Sequence, residues 1–373
     1  MNKLKQLAFK VLSYLPLSNT VLFESAPDLS DNTKPVFDEM LRRNLQKRYR
    51  LIWLCFSTCD HYPKIKNVKY LEVSKHKYEY VMLTYLSKVI ICCNRFVESG
   101  RKGQSVYYLM HGSPIKDTSS YYKCSQYVNY MITAGEYMNK KSALAMSFDE
   151  KRCYPLGYPR NDILVHPSVD LQHFLGKYKK YVIWYPTVKQ FKGGRDYGIE
   201  PIPFFEDPVN IEKINEFAKS KDILIIIKPH FAQIENISKD NYSNIKFIND
   251  DFYKTNNLVP YEFMGSCDAL LSDYSSVFYD YMICNKPIGL IWADLDTFKK
   301  NVGLFDFYEE VTDCCSRIYT LDDLFEFLSD VSDGKDKYQE DREKMCKVIN
   351  APKDGKNAAR VVDFIVKESQ LNL

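Results

Sequence analysis

The sequence lacks the short motifs that identify common cofactors and metals. No Gly-x-Gly-x-x-Gly follows a predicted strand, and no phosphate-binding loop ends in Gly-Lys-Ser/Thr, which disfavours nicotinamide, flavin and P-loop enzymes. The eleven cysteines show no Cys-x-x-Cys spacing, so we expect reduced thiols rather than a zinc site or a disulfide framework. No apolar run reaches transmembrane length, and no cleavable secretory signal is visible. We therefore expect no cofactor and no metal.

Length and composition favour a globular protein with two domains of similar size. The chain has 373 residues, of which 45% are hydrophobic and 14% aromatic. This is long for a single core and too apolar for a disordered protein. A net charge of +3 is too small to indicate a nucleic-acid partner, so none is predicted.

The first 17 residues have the pattern of a basic amphipathic helix. Leucine, alanine and valine recur at helical spacing from Leu4 to Leu15, lysines lie towards the other side, and Pro16 ends the segment. One interpretation is an interfacial helix that holds the protein on the cytoplasmic face of a membrane as a peripheral protein. The other is a helix that packs on its own domain, and the pattern favours neither.

Strand-like and helix-like runs alternate along the rest of the chain, which is typical of an α/β fold. After Gly157–Asp162 the pattern loosens over 166–179, which we interpret as a linker. The predicted domains are 18–166 and 167–373. The predicted strands are 20–24, 50–56, 68–73, 88–92, 105–110 and 129–133 in the first domain, and 181–185, 223–228, 245–248, 269–272 and 287–292 in the second.

Two of the six histidines directly follow predicted strands, one in each half. His111 follows Val106–Met110, and His230 follows Ile223–Lys228 after one proline. Strand ends are where α/β domains place ligands, and imidazole moves protons well near neutral pH. A single histidine is more often structural, but two in equivalent places favour a catalytic interpretation.

The segment from Asp268 to Gly289 predicts an anion site. An apolar strand ends at Asp273, and a helix begins after Ser275 and Ser276. Hydroxyl and N–H groups at such a turn suit phosphate or pyrophosphate, although an ordinary helix cap is the simpler alternative. Lys116, Lys189 and Lys228 lie beside the same loops. The pair Asp294 and Asp296 is only a weak indication of a metal.

The sequence motifs, taken in their order along the chain, resemble those of the CDP-glycerol glycerophosphotransferase family, which includes teichoic acid primases and polymerases. The resemblance runs from about Val21 to Val366. It rests on His111-Gly-Ser-Pro-Ile-Lys116, Gly157-Tyr-Pro-Arg-Asn-Asp162, Tyr185-Pro-Thr187, Lys228-Pro-His230 and Asp273-Tyr-Ser-Ser276, together with Glu24-Ser25, Ser30–Lys34 and Asp354–Lys356.

The resemblance implies a GT-B-like α/β fold, with two Rossmann-like domains facing a central cleft. It implies transfer of glycerol phosphate from CDP-glycerol to a hydroxyl of a lipid-linked saccharide, with release of CMP, in teichoic acid or capsular polysaccharide biosynthesis. His111 and His230 are the implied catalytic residues. Donor binding is expected from Thr187, Lys189, Lys228, Asp273, Ser275, Ser276, Lys299 and Lys300. The acceptor side or cleft is expected to include Gly112, Ser113, Lys116, Arg160, Asn161 and Asp162.

Two departures from the family pattern leave the donor polyol open. Val302 stands where the family often has an arginine, with Lys299 or Lys300 as possible substitutes, and Lys189 replaces an arginine after Thr187. The length of the chain resembles a primase or a capsule-assembly transferase more than a long-chain polymerase. The rival hypotheses are a CDP-ribitol enzyme, a glycosyltransferase that uses a nucleotide sugar, and a non-catalytic assembly scaffold.

Overall fold

The computed structural model describes residue 12 and residues 14–97, 99–120, 122–187, 202–229 and 242–371. Within these residues the chain forms two compact units. The first comprises the described residues of Met1–Ser113, Tyr121–Asp162 and Ala351–Leu373, and the second comprises those of Pro114–Ser120 and Ile163–Asn350. The predicted amphipathic helix over 1–17 lies largely outside the described residues.

The first unit is built on a parallel sheet in the order β3-β2-β1-β4-β5-β6-β7. All of its described strand pairs are parallel. Its strands are β1 (Ser18–Glu24), β2 (Arg50–Cys55), β3 (Val68–Glu72), β4 (Ser87–Cys92), β5 (Ser105–Tyr108), β6 (Tyr130–Ile132) and β7 (Cys153–Tyr154).

Helices of the first unit supply the apolar groups that bury this sheet. Phe37 packs edge-on against Phe23 of β1 and Trp53 of β2, with ring centroids 5.1 and 5.3 Å apart. The core also includes Val361 and Ile365, although they are remote in sequence. The α-helices are Thr33–Arg42, Lys77–Leu86, Tyr137–Ala145 and Asn357–Glu368, and short 3-10 helices span Leu45–Lys47, Glu150–Arg152 and Pro159–Val165.

The second unit has a parallel sheet in the order β10-β9-β8-β11-β12-β13. Its described pairs are again all parallel. The strands are β8 (Lys180–Trp184), β9 (Ile223–Ile227), β10 (Ile245–Phe247), β11 (Ala269–Ser272), β12 (Ile288–Ile291) and β13 (Ser316–Ile318). β9 reads Ile-Leu-Ile-Ile-Ile and is buried throughout, as expected for a parallel strand covered on both faces.

Several short helices and three longer ones complete the described part of the second unit. Its α-helices are Leu171–Leu175, Pro208–Ser220, Asp250–Thr255, Pro260–Ser266, Val277–Tyr281, Leu295–Asn301, Tyr308–Thr312, Leu321–Asp333 and Gln339–Ile349, with a 3-10 turn at Met282–Cys284. No helix among the described residues is both long and apolar enough to span a bilayer.

The α/β class is confirmed, whereas the predicted domain limits differ from the observed units. The change of unit falls between Asp162 and Ile163 rather than between 166 and 167, and the segment 166–179 contains the helix Leu171–Leu175. Residues Ala351–Leu373 were expected in the second domain but belong to the first unit. The reason is packing, because Val361, Val362 and Ile365 are fully buried in the core of the first unit.

Candidate active site

In each sheet, the order in which successive strands are added reverses between the first and the fourth strand along the chain. The predicted site residues follow these strands or their neighbours. The reversal lies between β1 and β4 in the first unit and between β8 and β11 in the second. In open α/β sheets, ligands bind outside the carboxyl ends of the strands at such a switch point. The two switch points therefore define two candidate binding regions, one in each unit.

In the first unit, His111 follows β5 at the carboxyl edge of the sheet. The residue is exposed, and its Nδ1 atom lies 3.4 Å from the Tyr108 hydroxyl group. The backbone turns sharply just before it, since Met110 has a φ of +52°. His111 thus presents its imidazole from a fixed turn rather than from a regular strand.

The surroundings of His111 favour the neutral form of its ring. Desolvation lowers the pKa of His111 below its ordinary value, the Asp31 carboxylate raises it, and the Arg160 guanidinium lowers it. A hydrogen bond with the backbone of Cys93 also raises this pKa. A neutral imidazole can accept a proton, so a lowered pKa suits His111 to act as a base.

Among the residues predicted near His111, Arg160 contacts its backbone. Arg160 Nη1 donates to the His111 carbonyl at 2.9 Å and to Asp31 Oδ1 at 2.6 Å. Gly112 is half-buried, and the buried Ser113 hydroxyl donates to the Tyr158 hydroxyl at 3.4 Å. Asn161 is buried, and its backbone N–H donates to the Tyr158 carbonyl at 3.0 Å.

Asp162 has a structural contact that the sequence did not suggest. Its two carboxylate oxygens accept the backbone N–H groups of Asn357 and Ala358, at 2.8 and 2.9 Å. Asp162 therefore caps the helix Asn357–Glu368, and this contact occupies the carboxylate that we expected on the acceptor side. The backbone at Gly157 also lies close to the start of this helix, since a Cβ there would lie 2.3 Å from Asn357 Oδ1.

In the second unit, the ends of β8 and β11 are joined through Thr187 and Asp273. The Thr187 N–H donates to Asp273 Oδ2 at 2.8 Å, and the Thr187 hydroxyl donates to Asp273 Oδ1. Asp273 is buried, with 1% of its surface exposed. Both residues lie at the switch point, where donor-binding residues were predicted.

Ser275 and Ser276 lie in a turn after Asp273, which we call the serine turn, and the contacts of Tyr274 support it. The Tyr274 ring stacks on Phe298 at 3.6 Å, and its hydroxyl donates to Asp294 Oδ1 at 2.9 Å. Ser275 and Ser276 are half-buried, and the Ser276 side chain makes no capping hydrogen bond to the helix. The simple helix-cap interpretation therefore does not account for Ser276.

Lys116 was predicted on the acceptor side, but it lies in the second unit. It pairs with Leu304 in an isolated antiparallel bridge, and its Nζ atom is 5.9 Å from the centroid of the Phe298 ring. Desolvation lowers the pKa of Lys116, whereas the negative charge of Asp273 raises it. The chain reaches this position because the segment Pro114–Ser120 packs against residues 303–305.

The remaining predicted lysines differ in their surroundings. Lys228 forms an ion pair with Asp250, with 2.9 Å between Nζ and Oδ1. Lys299 is exposed, with Nζ 4.6 Å from the centroid of the Tyr308 ring, and Lys300 is also exposed. His230 and Lys189 lie outside the described residues.

We predicted no individual role for Asp31 or Asn32 from the sequence. Both lie in the Ser30–Lys34 motif, so the motif itself was the available signal. Asp31 contacts Arg160, and Asn32 is fully buried beside the Leu109 and Met110 carbonyls. Within the described ranges, no group of three or more histidine, cysteine or acidic side chains is arranged to hold a metal ion.

Comparison with known proteins identifies the family. The sequence profile of the CDP-glycerol:poly(glycerophosphate) glycerophosphotransferase family matches residues 7–367. Both α/β units lie almost entirely within this match. The chain therefore belongs to this family of enzymes, and the predictions of family and enzyme class are confirmed.

The relatives include enzymes of different lengths. The teichoic acid glycerol-phosphate transferase of Staphylococcus aureus (strain NCTC 8325 / PS 47) is 24% identical, and the alignment covers 96% of each chain. The teichoic acid poly(glycerol phosphate) polymerase of Staphylococcus epidermidis is 25% identical over 94% of this chain but only 50% of its own length. The chain thus has the length of the transferase and about half that of this polymerase.

Solved structures of the wall teichoic acid polymerase TagF share the fold. One superposes with a TM-score of 0.76 at 20% identity, covering 97% of this chain and 93% of the polymerase chain. A histidine-to-asparagine variant of TagF soaked with CDPG gives a TM-score of 0.77 at 21% identity, with coverage of 98% and 92%. The GT-B-like fold class is confirmed by this similarity.

Proposed function

We propose that the protein transfers glycerol phosphate from CDP-glycerol to a hydroxyl group of a lipid-linked saccharide, in the synthesis of teichoic acid or a related surface polysaccharide. The observation that carries this proposal is the family match across residues 7–367. A teichoic acid glycerol-phosphate transferase aligns over 96% of both chains, which supports glycerol phosphate as the transferred group.

In the proposed reaction, an acceptor hydroxyl oxygen attacks the phosphorus that carries the glycerol. The bond from this phosphorus to the bridging oxygen breaks, and CMP leaves with the electron pair. The chemistry needs a base for the hydroxyl proton and stabilisation of the diphosphate charge. We assign the base to His111, because it follows β5 at the carboxyl edge of the sheet and its lowered pKa favours the neutral ring. His230 remains a second catalytic candidate.

We place the donor diphosphate at the switch point of the second unit. Ser275 and Ser276 would donate hydroxyl hydrogen bonds to its oxygens, and Thr187 and Asp273 would hold the turn in place. The helix Val277–Tyr281 is only five residues long, so we attribute anion binding to side chains more than to a helix dipole.

We also propose that the enzyme acts at the cytoplasmic face of a membrane. The helix Lys77–Leu86 exposes Tyr78, Val81 and Met82 on one face, with 91%, 41% and 48% of their surfaces accessible. Arg101 lies between this helix and the N-terminal segment: it stacks over Tyr85 at 5.3 Å, and its Nη1 donates to the Leu12 carbonyl at 3.0 Å. An exposed apolar stripe, in a chain whose first residues are basic in sequence, suits an anionic lipid surface.

Donor profiling tests the proposed reaction directly. The protein would be incubated with a lipid-linked saccharide and, separately, CDP-glycerol, CDP-ribitol or nucleotide sugars, and the released nucleotide would be measured. We expect CMP release from CDP-glycerol. Because some relatives are teichoic acid ribitol-phosphate enzymes, preference for CDP-ribitol would change the polyol and keep the reaction class. Release from a nucleotide sugar alone, or no donor binding, would contradict the proposal.

The base assignment is tested by substitution. His111→Ala should lower turnover by roughly a hundredfold or more, the span for a lost general base. CDP-glycerol binding should survive, since the proposed donor residues lie in the second unit. Turnover near that of the wild type would remove His111 from the mechanism and leave His230 as the main candidate.

A further inference from the structure

The buried side chain of Asn32 binds the backbone that leads into His111. Its Nδ2 atom donates to the carbonyl of Leu109 at 3.2 Å and to that of Met110 at 2.9 Å. Its Oδ1 atom accepts the backbone N–H of Arg160 at 3.2 Å. Asn32 is fully buried, so its amide has exchanged water for these partners.

The backbone between these two carbonyls has an unfavourable conformation. Met110 has a φ of +52°, in the left-handed region that residues with a side chain rarely adopt. Such a conformation persists only where neighbouring groups hold it in place, and it is common at functional sites. The Asn32 side-chain amide binds the two carbonyls that flank the Met110 Cα atom, so it is suited to hold this turn.

Arg160 and Asp31 fix the next carbonyl along the chain. Arg160 Nη1 donates both to the His111 carbonyl and to Asp31 Oδ1. Asp31 Oδ1 also accepts the backbone N–H of Asn32 at 2.8 Å. The side chains of Arg160 and Asp31 are only 10% and 13% exposed. Three consecutive carbonyls, from Leu109 to His111, are therefore bound by the Asn32 and Arg160 side chains.

We propose that Asn32, together with the Asp31–Arg160 pair, is a positioning unit that aims the His111 imidazole at the acceptor hydroxyl. The proposal rests on the proposed role of His111 as the base. None of the three needs to touch the substrate. Their effect on position is geometric, because proton transfer requires hydrogen-bond distance and a shift of about 1 Å can cost about a hundredfold in rate. The negative charge of Asp31 also acts electrostatically on the ring.

The first test compares Asn32→Ala with a matched variant, Gln104→Ala. Gln104 is also a buried amide of the first unit whose nitrogen donates to two backbone carbonyls, those of Thr84 and Ser87, both at 2.8 Å. It precedes β5, whereas His111 follows β5, so it lies at the other end of the same strand. Loss of Gln104 removes similar hydrogen bonds far from the imidazole.

We expect Asn32→Ala to lower kcat for CMP release by about tenfold to a hundredfold. CDP-glycerol affinity, measured by calorimetry, should stay within about twofold, since the proposed donor residues lie in the second unit. Gln104→Ala should lower the melting temperature to a similar extent while kcat stays near wild type. Equal loss of kcat in the two variants, or an unchanged kcat in Asn32→Ala, would overturn the proposal.

The second test uses the charge of Asp31 and the pH profile of kcat/KM. Tyr108, Asp31 and Arg160 are the polar and charged side chains that bear on the ring, and the Asp31 carboxylate raises its pKa. Asp31→Asn removes this effect, so the acid limb of the profile should move to lower pH. An unmoved limb would overturn the electrostatic part of the positioning unit. Near-normal turnover in His111→Ala would instead reject the base assignment itself.

Discussion

The ammonium group of Lys116 carries a charge that the second unit only partly stabilises. Burial disfavours the charge, and the nearby Asp273 carboxylate favours it. A desolvated cation gains strongly from an anionic ligand because the local dielectric is low. Lys116 also lies close to Phe298, whose ring stacks on Tyr274 of the serine turn. We therefore expect Lys116 to contribute to donor binding despite its position just after His111 in the sequence.

This expectation is tested by Lys116→Met, with Lys299→Met as its control. A charge-assisted hydrogen bond contributes about 1.5–3 kcal/mol, so CDP-glycerol affinity should fall by about one to two orders of magnitude. Binding of cytidine alone, which carries no phosphate, should not change. Lys299 was also predicted to bind the donor, but it is exposed and its ammonium lies over Tyr308, so we expect its variant to lose less affinity for CDP-glycerol than Lys116→Met. A loss with Lys299→Met and none with Lys116→Met would reverse the assignment.

Among the elements, the helix Lys77–Leu86 has an unusual distribution of apolar groups. Leu83 and Thr84 are buried against the first unit, whereas Tyr78, Val81 and Met82 point to solvent. An exposed apolar stripe of this kind marks a contact surface rather than a core. We propose that this stripe contributes to membrane contact.

We expect deletion of residues 2–16 to release the enzyme from anionic liposomes with little loss of thermal stability. In the full-length protein, the double substitution Tyr78→Ser and Met82→Ser should also weaken liposome binding, because burial of an apolar side chain contributes about 1.5–3 kcal/mol. Sedimentation with liposomes and thermal melting measure the two effects. A large drop in melting temperature with unchanged liposome binding would show that the N-terminal segment is part of the core.

The strands were predictable because their composition is strongly biased. Runs such as Ile223–Ile227 fit a buried parallel strand, and the predicted strands agree with the observed ones to within two residues at each end. The missed strands, Cys153–Tyr154 and Ser316–Ile318, are short and lie at sheet edges. They contain too few residues to show a period, so only pairing with a neighbour defines them.

The candidate site was predictable as a set of motifs but not as a set of contacts. The sequence placed His111, Thr187 and Asp273 at strand ends, where they lie. It gave no indication that Lys116 belongs to the second unit or that Asp162 caps a helix nearly 200 residues away. Contacts over such separations depend on how the chain returns to itself, which no local pattern records.

At the scale of the whole molecule, the helix Asn357–Glu368 returns the chain from the second unit to the core of the first unit. Ala358, Val361, Val362 and Ile365 form one face and are buried, and Asp162 caps the first turn. Truncation after Asn350 removes this face. At about 1.5–3 kcal/mol for each large apolar side chain, the loss is comparable with the total stability of a domain.

We therefore expect the truncated protein to lose the fold of the first unit and to retain protected amides in the second unit. Hydrogen exchange followed by mass spectrometry would resolve the two. Asp162→Ala is a milder form of the same experiment and should cost about 0.5–2 kcal/mol in urea unfolding. Asp341→Ala, which removes only an exposed pair with Lys344, is its control. Equal protection of both units after truncation would contradict the expectation.

The return of the C-terminal helix to the first unit also has a consequence during synthesis. The ribosome makes the sheet of the first unit early, then the whole of 163–350, and only afterwards the helix that completes the early core. At about 5–20 residues per second, synthesis of 163–350 takes about 10–40 s. The nascent sheet is incompletely covered for that interval. Stalling near the last codons would therefore leave the earliest part of the protein, rather than the latest, open to chaperones and proteases.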